Sequence, residues 1–422
     1  MKEIKVDLLI IGAGPAGLAA AIHGKKLGIN DVLIVERNNE AGGILQQCIH
    51  DGFGLQRFKE TLSGPQYVQK QIDEAEKLDV KIMLNTMVVD MTKDREVFVI
   101  SSESGLTKIT ATAVILAMGC RERSRMQAHI MGSRPRGVLT AGTVQRYINK
   151  EGLIPGEKAV ILGSGDIGLI MARRMTLEDV KVEGVYEIMN RPGGLQRNIS
   201  QCLDDYNIPL HLSTTVTEIH GKYAVEGVTV QQVDDDYKPI PNTQRYIPCD
   251  LLVLSVGLIP ENEISLKADV PLSEQTNGPI IDNNFMTMVP GIFAAGNVVS
   301  VFDLTDNVSR TGEIAASGAF EFIKNGNILP IVCKIEAGKD VTGALPIQYR
   351  SGNSDKPLEI FCRVKKVLKN AVLTVSQGDR ILFEKKYRIL RPQEMLNIEV
   401  KPFDCGTENI VISVCGEEEG GK

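Results

Sequence analysis

Two short stretches of this 422-residue chain place glycines where a backbone must come close to phosphate. Gly12, Gly14 and Gly17 spell G-x-G-x-x-G in "LLIIGAGPAGLAAAI", with Pro15 and Ala16 between them. Gly163, Gly165 and Gly168 repeat the spacing in "VILGSGDIG", with Asp166 and Ile167 between. The first glycine of such a loop permits a tight strand-to-helix turn, and the second lets the backbone approach a pyrophosphate. The third lets the helix pack on the strand, so that its N-terminus faces the phosphates. Glu36 follows Gly17 by nineteen positions and Glu187 follows Gly168 by nineteen. A carboxylate at that offset accepts hydrogen bonds from an adenosine ribose. At Glu187 it favours a free 2′-hydroxyl and repels a 2′-phosphate, predicting NAD(H) over NADP(H), with nearby Arg191 pulling the other way. A single loop is compatible with a turn that binds nothing. Two loops with matched acids imply one dinucleotide each.

The elements that must position these residues follow from hydrophobic pattern. The first ~120 residues read as strand, glycine turn, small-residue helix and second strand ("DVLIVE"), then a helix over Tyr67 to Leu78 and strands ending in "AVILAMGCRE". From about Glu157 the order restarts with "AVILG", the helix "LIMARRMTL", the strand "VEGVYEIM" and the apolar run "DLLVLSVGLIPE". Alternation at these lengths predicts parallel, doubly wound sheets. The stretch from Gly278 to Gly326, with "GIFAAGN" and "GEIAASGAFEFI", is too short to stand alone and is expected to return to one of the two sheets. Past Pro330, short β-branched runs separated by "SQGD" and "FDCGTE" predict a small antiparallel β domain of sandwich type. The fold class is therefore α/β, with two nested Rossmann-like dinucleotide-binding domains plus a C-terminal small all-β domain. The expected boundaries are 1–120 and 278–329 for the first domain, 121–277 for the second and 330–422 for the third. The last six residues are expected to be disordered.

Composition narrows the function. A net charge of −6 with no basic run argues against a nucleic-acid surface, and no segment reaches the ~18 apolar residues of a membrane span. The N-terminus does not read as a signal peptide, because Asp7, glycines and a proline interrupt the apolar stretch, so a cytoplasmic location is expected. The eight cysteines are scattered, the nearest pair ten positions apart, which matches neither a disulfide framework nor metal-ligand spacing. No metal site is expected.

Over roughly Val6 to Ile323 the sequence resembles the FAD-dependent pyridine nucleotide oxidoreductases, flavoproteins with two dinucleotide-binding domains. The resemblance rests on "GAGPAG", the paired Gly42-Gly43, and the strand-end junctions Ala117-Met118-Gly119 and Ser255-Val256-Gly257. It rests also on "GIFAAGN", where Asn297 replaces the usual aspartate of the ribityl contact and its amide can still accept that hydrogen bond. The resemblance implies FAD at the first loop and NAD(H) at the second. It places Arg37, Gly43, Val88, Ala117, Gly119, Gly296, Asn297 and Thr311 beside the FAD, and Gly257 beside the nicotinamide dinucleotide. Within the family, "GGILQQCIHDGFGLQRF", "RPRGVLTAGTVQRYIN", "SVGLIPENE" and "GNVVSVFDLTDNVS" are similar to FAD/NAD-binding subunits of dye-linked amino-acid dehydrogenases, opine oxidase and hydrogen cyanide synthase. They also resemble flavoproteins associated with glycerol-3-phosphate dehydrogenase. This branch implies a dehydrogenase or an iron–sulfur protein as redox-partner subunit, within a homo- or hetero-oligomer.

The dithiol of disulfide-reducing relatives is missing. Only Cys48 follows Gly43, His50 stands where the flavin-proximal cysteine would fall, no C-x-x-C occurs, and no histidine lies beyond His220. Cys48 and His50 are the candidate catalytic pair: either a thiolate that cycles through a sulfenate beside a polar histidine, or plain packing. Arg121 and Arg123 either contact pyrophosphate or are solvated. A helix expected to start near Thr311-Gly312 would aim its N-terminus at the flavin's pyrimidine edge, stabilising a nearby anion by ~0.3–2 kcal/mol. The resulting expectation is an oxidoreductase moving a hydride between NAD(H) and FAD, then electrons to a partner. The alternatives are an NADH oxidase or peroxidase using Cys48, and a non-catalytic assembly subunit. The β domain, with nothing catalytic in it, is expected to dock a partner or hold subunits together and to be removable after Gly326 without loss of FAD; the alternative is that it caps the flavoprotein core.

Overall fold

The computed structural model describes residues 1–326, 328–352 and 355–418. They divide into two compact units, Met1–Cys120 with Pro260–Lys422, and Arg121–Ile259.

In chain order the first unit begins with β1 (Lys2–Ile11), α1 (Pro15–Leu27), β2 (Val32–Val35), α2 (Gly64–Lys77), β3 (Lys81–Met83), β4 (Thr86–Met91), β5 (Glu96–Ser101) and β6 (Gly105–Leu116). Leu8 to Ile11 and Val32 to Val35 are continuous apolar runs because both faces of these strands are covered. α1 is buried nearly all round and is built from Ala16, Gly17, Ala19, Ala20, Ala21 and Gly24, whose small side chains let neighbouring backbone come close.

The second unit contributes β7 (Val138–Thr140), β8 (Lys158–Leu162), α3 (Asp166–Leu177), β9 (Lys181–Tyr186) and β10 (Leu210–His211). It continues with β11 (Thr214–His220), β12 (Gly227–Gln232), β13 (Arg245–Pro248) and β14 (Leu251–Leu254). Its parallel sheet runs β7-β14-β8-β9-β10. Alternation along β8 divides two cores: Ala159 and Ile161 face the helices, whereas Val160 and Leu162 face the antiparallel sheet built on β11 and β12.

The chain then returns with β15 (Ile292–Ala294) and α4 (Thr305–Asn325), which completes the first sheet in the order β3-β2-β1-β6-β5-β4, β15 pairing with β6. β6 is long enough to pair with β5 through its first half and with β15 through Val114 to Leu116. The return comes at Pro260, ahead of the expected 278. Ala268 and Val270 are buried in the first core, Lys267 Nζ donates to Val89 O at 2.6 Å, and Asn262 Nδ2 donates to Val298 O at 3.1 Å.

α4 corrects the expected start near Thr311. It begins at Thr305, so Thr311 and Gly312 lie inside it. Gly312 marks a close approach rather than a turn: a Cβ there would lie 2.2 Å from Ala16 O of α1.

The C-terminal strands are β16 (Ile331–Ala337), β17 (Val341–Leu345), β18 (Gln348–Arg350), β19 (Leu358–Val364), β20 (Leu368–Gln377), β21 (Arg380–Leu390), β22 (Leu396–Val400) and β23 (Ile410–Glu418). They form a five-stranded sheet, β18-β16-β23-β20-β21, and a three-stranded sheet, β17-β19-β22, around one core. The sandwich is not wholly antiparallel, since β16 and β23 pair in parallel. Of the six terminal residues expected to be disordered, Glu417 and Glu418 belong to β23, and 419–422 lie outside the described residues.

The sandwich shares the core of the first unit rather than hanging from it. Leu345 and Phe361 are fully buried there, with the Phe361 ring edge-on to Phe285 and Phe302. Arg350 pairs with buried Asp282, Arg310 with Glu359 and Arg363 with Asp303.

Candidate dinucleotide sites

Each glycine loop sits where β1 or β8 meets the fourth parallel strand of its sheet, the crevice at which such sheets bind ligands. Gly12 has φ +106°, and a Cβ on it would lie 2.5 Å from Ala117 O. Gly163 has φ +96°, with a Cβ 2.1 Å from Ser255 O. Gly17 turns in under Gly12, its Cβ position only 1.9 Å from Gly12 O. Gly14, by contrast, has nothing within 4 Å, which leaves its backbone open to a ligand. No side chain caps α1 at Gly14 and no acid sits in its first turn. The free N–H groups and positive helix end fit an anionic pyrophosphate.

The two acids make matching bonds. Glu36 accepts the Ala13 N–H at 2.8 Å and the Asn38 N–H at 2.9 Å. Glu187 accepts the Ser164 N–H at 2.9 Å, the Ser164 hydroxyl at 2.6 Å and the Met189 N–H at 3.0 Å. Both are buried, and a carboxylate has lone pairs to spare for a ribose after two or three such bonds. Arg37 is exposed and Arg191 half-exposed.

A second glycine pair, absent from the sequence reading, completes the likeness. Gly42 N–H donates to Ala13 O at 2.8 Å, and a Cβ on Gly43 would lie 3.1 Å from Gly14 Cα. Gly193 N–H donates to Ser164 Oγ at 2.8 Å, and a Cβ on Gly194 would lie 2.7 Å from Leu169 Cδ1. Gly12 to Gly163, Glu36 to Glu187 and Gly42-Gly43 to Gly193-Gly194 all keep the same 151-residue separation. That constant spacing is the signal by which "RPGG" was findable.

The remaining residues divide by task. Gly119, at φ +73° with nothing within 4 Å, leaves its backbone open as Gly14 does. Gly296 packs its α-carbon on Ala16, a Cβ there falling 2.9 Å from the Ala16 methyl, and its N–H donates to Thr311 Oγ1 at 2.8 Å. Thr311 in turn donates to Val308 O at 2.7 Å, so its hydroxyl is spent inside the protein, positioning Gly296. Asn297 Oδ1 accepts the Phe302 N–H at 3.1 Å, and Nδ2 lies 3.6 Å from Cys120 Sγ. One lone pair of that oxygen remains. The Pro15 carbonyl accepts from Gln71 and Ser309, both at 3.3 Å. Val88 is buried in the strand that pairs it with Val99.

In the second unit, Asp166 Oδ1 accepts from Leu195 N–H at 2.8 Å and Asn198 Nδ2 at 2.6 Å, and Ile167 packs on the helical core. These two support the loop from beneath. Gly257, at φ +101°, accepts the Arg123 N–H at its carbonyl, 3.0 Å away.

Cys48 and His50 border one apolar cluster, which Phe53 joins to the His50 ring, but they differ in exposure. Cys48 is buried with Leu45, Leu62, Tyr67 and Val68, and its thiol donates to Ile44 O at 3.3 Å. His50 is half-exposed, its ring 5.0 Å from Phe53.

The model of the family described as pyridine nucleotide-disulphide oxidoreductase matches residues 6–312, both loops included. The chain belongs to this family. As a member it is a flavoprotein oxidoreductase that uses FAD and a nicotinamide dinucleotide. It is similar to hydrogen cyanide synthase subunit HcnB of Pseudomonas protegens, 27% identical over 62% of this chain and 58% of that protein. It is also similar to an opine oxidase subunit of Agrobacterium tumefaciens, 24% identical over 75% of this chain and 66% of that protein. The chain thus spans about three fifths to two thirds of those relatives. The fold is that of the T. acidophilum thioredoxin reductase, with a TM-score of 0.60 at 24% identity, covering 75% of this chain and 98% of that one. Among the described residues no helix is long and apolar enough to cross a membrane, and no group of three or more metal-ligating side chains forms.

Proposed function

We propose that this oxidoreductase passes a hydride between NAD(H) and FAD without a dithiol at the flavin. It would hand the electrons to a redox partner as one subunit of a dehydrogenase assembly. The observation that carries the reading is the duplicated loop: in each unit an open glycine turn is closed by a buried carboxylate bonded to the turn itself. FAD, when bound, supplies the two-electron chemistry. The chain's residues do the rest: Gly12, Gly14, Gly17 and Gly43 shape a backbone cradle, Glu36 orients a ribose, and Asn297 offers an amide oxygen. In the second unit Gly163, Gly165 and Gly168 shape the turn while Glu187 favours a free 2′-hydroxyl, which supports NAD(H) over NADP(H). Direct hydride transfer asks the protein for positioning rather than for an acid or base.

The absence of a flavin dithiol is supported by placement. Cys48 is followed by no other cysteine before Cys120, and it is buried in the cluster of Leu45, Leu62, Tyr67 and Val68. The partner role is supported by two relatives that are named as subunits. The test is an anaerobic titration of the purified holoprotein with NADH and NADPH while its visible spectrum is recorded. Yellow protein bleached by NADH at a lower concentration than by NADPH supports the reading. Colourless protein that cannot be reconstituted with FAD, or flavin unmoved by either nucleotide, overturns it.

A further inference from the structure

Two cysteines of the sandwich, 72 positions apart in sequence, meet in space. Cys333 lies on β16 and is buried. Cys405 lies in the 401–409 loop between β22 and β23 and is half-buried. Their sulfurs are 3.6 Å apart, in van der Waals contact. Val332, Tyr349, Ser351, Gly352 and Asp404 line a shallow cavity with Cys405, the more exposed of the two cysteines, whereas Cys333 is buried behind it.

The loop is held for that encounter by one buried side chain. Gln377, on β20, accepts the Gly406 N–H at 2.9 Å. Its amide nitrogen donates to Glu408 O at 2.7 Å and Gly406 O at 3.0 Å. The same nitrogen stands 3.3 Å from Cys405 Sγ, and the Cys405 thiol donates to Gly406 O at 3.3 Å, so one residue and its loop partners hold this sulfur in place. Burial and the neighbouring Cys405 push the Cys333 thiol up to about 12, which suits a sulfur that attacks second.

We propose that Cys333 and Cys405 form a reversible disulfide that fastens the 401–409 loop to β16 when the protein meets a hydroperoxide. The Cys405 thiolate attacks a peroxide oxygen, forming an S–O bond and breaking the O–O bond, which leaves a sulfenic acid and releases hydroxide. Cys333 then gives up its proton and its sulfur attacks that of Cys405. The S–S bond forms, the S–O bond breaks, and the departing hydroxide takes a proton to leave as water. Overall two thiols and one hydrogen peroxide become one disulfide and two waters. A dithiol reverses the step by thiol–disulfide exchange. The pair lies in the sandwich core, whereas Cys48 lies in another cluster, so the reaction needs no flavin.

The experiment treats the full-length holoprotein with hydrogen peroxide, blocks remaining thiols in denaturant and maps non-reduced peptides by mass spectrometry. The expected result is a Cys333–Cys405 cross-linked peptide lighter by two hydrogens than the separate pair, lost on adding dithiothreitol. Cys333→Ser should instead accumulate a dimedone-reactive Cys405, and Gln377→Leu should slow the cross-link at unchanged flavin content. A wild-type protein in which Cys405 over-oxidises without cross-linking, or in which neither sulfur reacts, overturns the proposal.

Discussion

Glu187 accepts the Ser164 hydroxyl at 2.6 Å, and the same hydroxyl receives the Gly193 N–H at 2.8 Å. The acid proposed to read a ribose is therefore also the post to which the second glycine loop is tied. Glu187→Gln should lower NADH-over-NADPH discrimination by about 1–3 kcal/mol, the scale of a hydrogen bond to a charged group. The measurement is kcat/KM for both nucleotides with a dye acceptor. Equal efficiency of the wild type with both would remove Glu187 from that task.

Gly194→Ala should weaken NADH use while leaving FAD in place. The new methyl would press on Leu169 Cδ1 at 2.7 Å, Asp166 Oδ1 at 2.8 Å and Ser164 O at 3.0 Å, disturbing the support of the loop. Flavin absorbance per chain should match the wild type and KM for NADH should rise. A variant that loses its flavin would refute the division of tasks between the two loops.

Cutting the chain after Gly326 should cost the protein its flavin, contrary to the expectation from sequence. Removal of the sandwich uncovers Phe285 and Phe302 and leaves Asp282 buried without Arg350. Phe361→Ala alone should destabilise by about 3–5 kcal/mol, as deletion of a buried aromatic does. Chemical denaturation of the full-length variant checks the second figure. A truncated chain that still folds with stoichiometric FAD would show that the shared core is dispensable.

Cys48→Ser should keep NADH-to-dye turnover. The thiol is packed among apolar side chains and spent on Ile44 O, and a hydroxyl can make the same bond. Collapse of turnover with flavin content intact would return thiol chemistry to this position.

Stability should fall as the pH drops below neutrality. Burial works against an ionised Glu313, but the Arg57 and Arg310 guanidiniums outweigh it and hold its carboxyl below the usual range. A carboxyl depressed in this way contributes stability that is complete above its unfolded pKa and lost as the pH falls through the folded value. His23, 2.9 Å from Ser317, is pushed below its ordinary value mainly by burial, against the pull of Glu313. Its contribution is complete above its unfolded pKa of about 6.5 and declines below it. Urea midpoints should therefore decrease from pH 7 to pH 4 through His23 and further from pH 4 to pH 2 through Glu313, with a shallower slope below pH 4 in Glu313→Gln. An identical slope in that variant would refute the assignment.

What the sequence disclosed depended on how local the signal was. The loops, their acids and the alternation of strand and helix were legible because each is fixed by spacing within some forty residues. Gly312 misled because a glycine inside a helix looks like punctuation until the facing Ala16 carbonyl is seen. Strands β17 and β18 are harder to read in the sequence, because they are short and the apolar run of β17 is interrupted by Thr342 and Gly343. Phe361 read as an ordinary strand residue, and only packing revealed that it belongs to two domains' worth of core. Gly193-Gly194 is legible in the sequence, since its distance from Glu187 repeats that of Gly42-Gly43 from Glu36.

The divided edge of β6 sets an order on synthesis. Val114 to Leu116 pair with Leu9 to Ile11 on one edge, but the partners of their other edge are Ile292 to Ala294, and all of residues 121–259 lie between. On the ribosome the second unit is complete while the first still presents an unpaired strand edge, the kind of surface that recruits foreign strands. Nascent chains arrested before residue 292 should be the species that chaperones hold longest, and the inserted unit, emerging already able to close on itself, keeps that interval from lengthening.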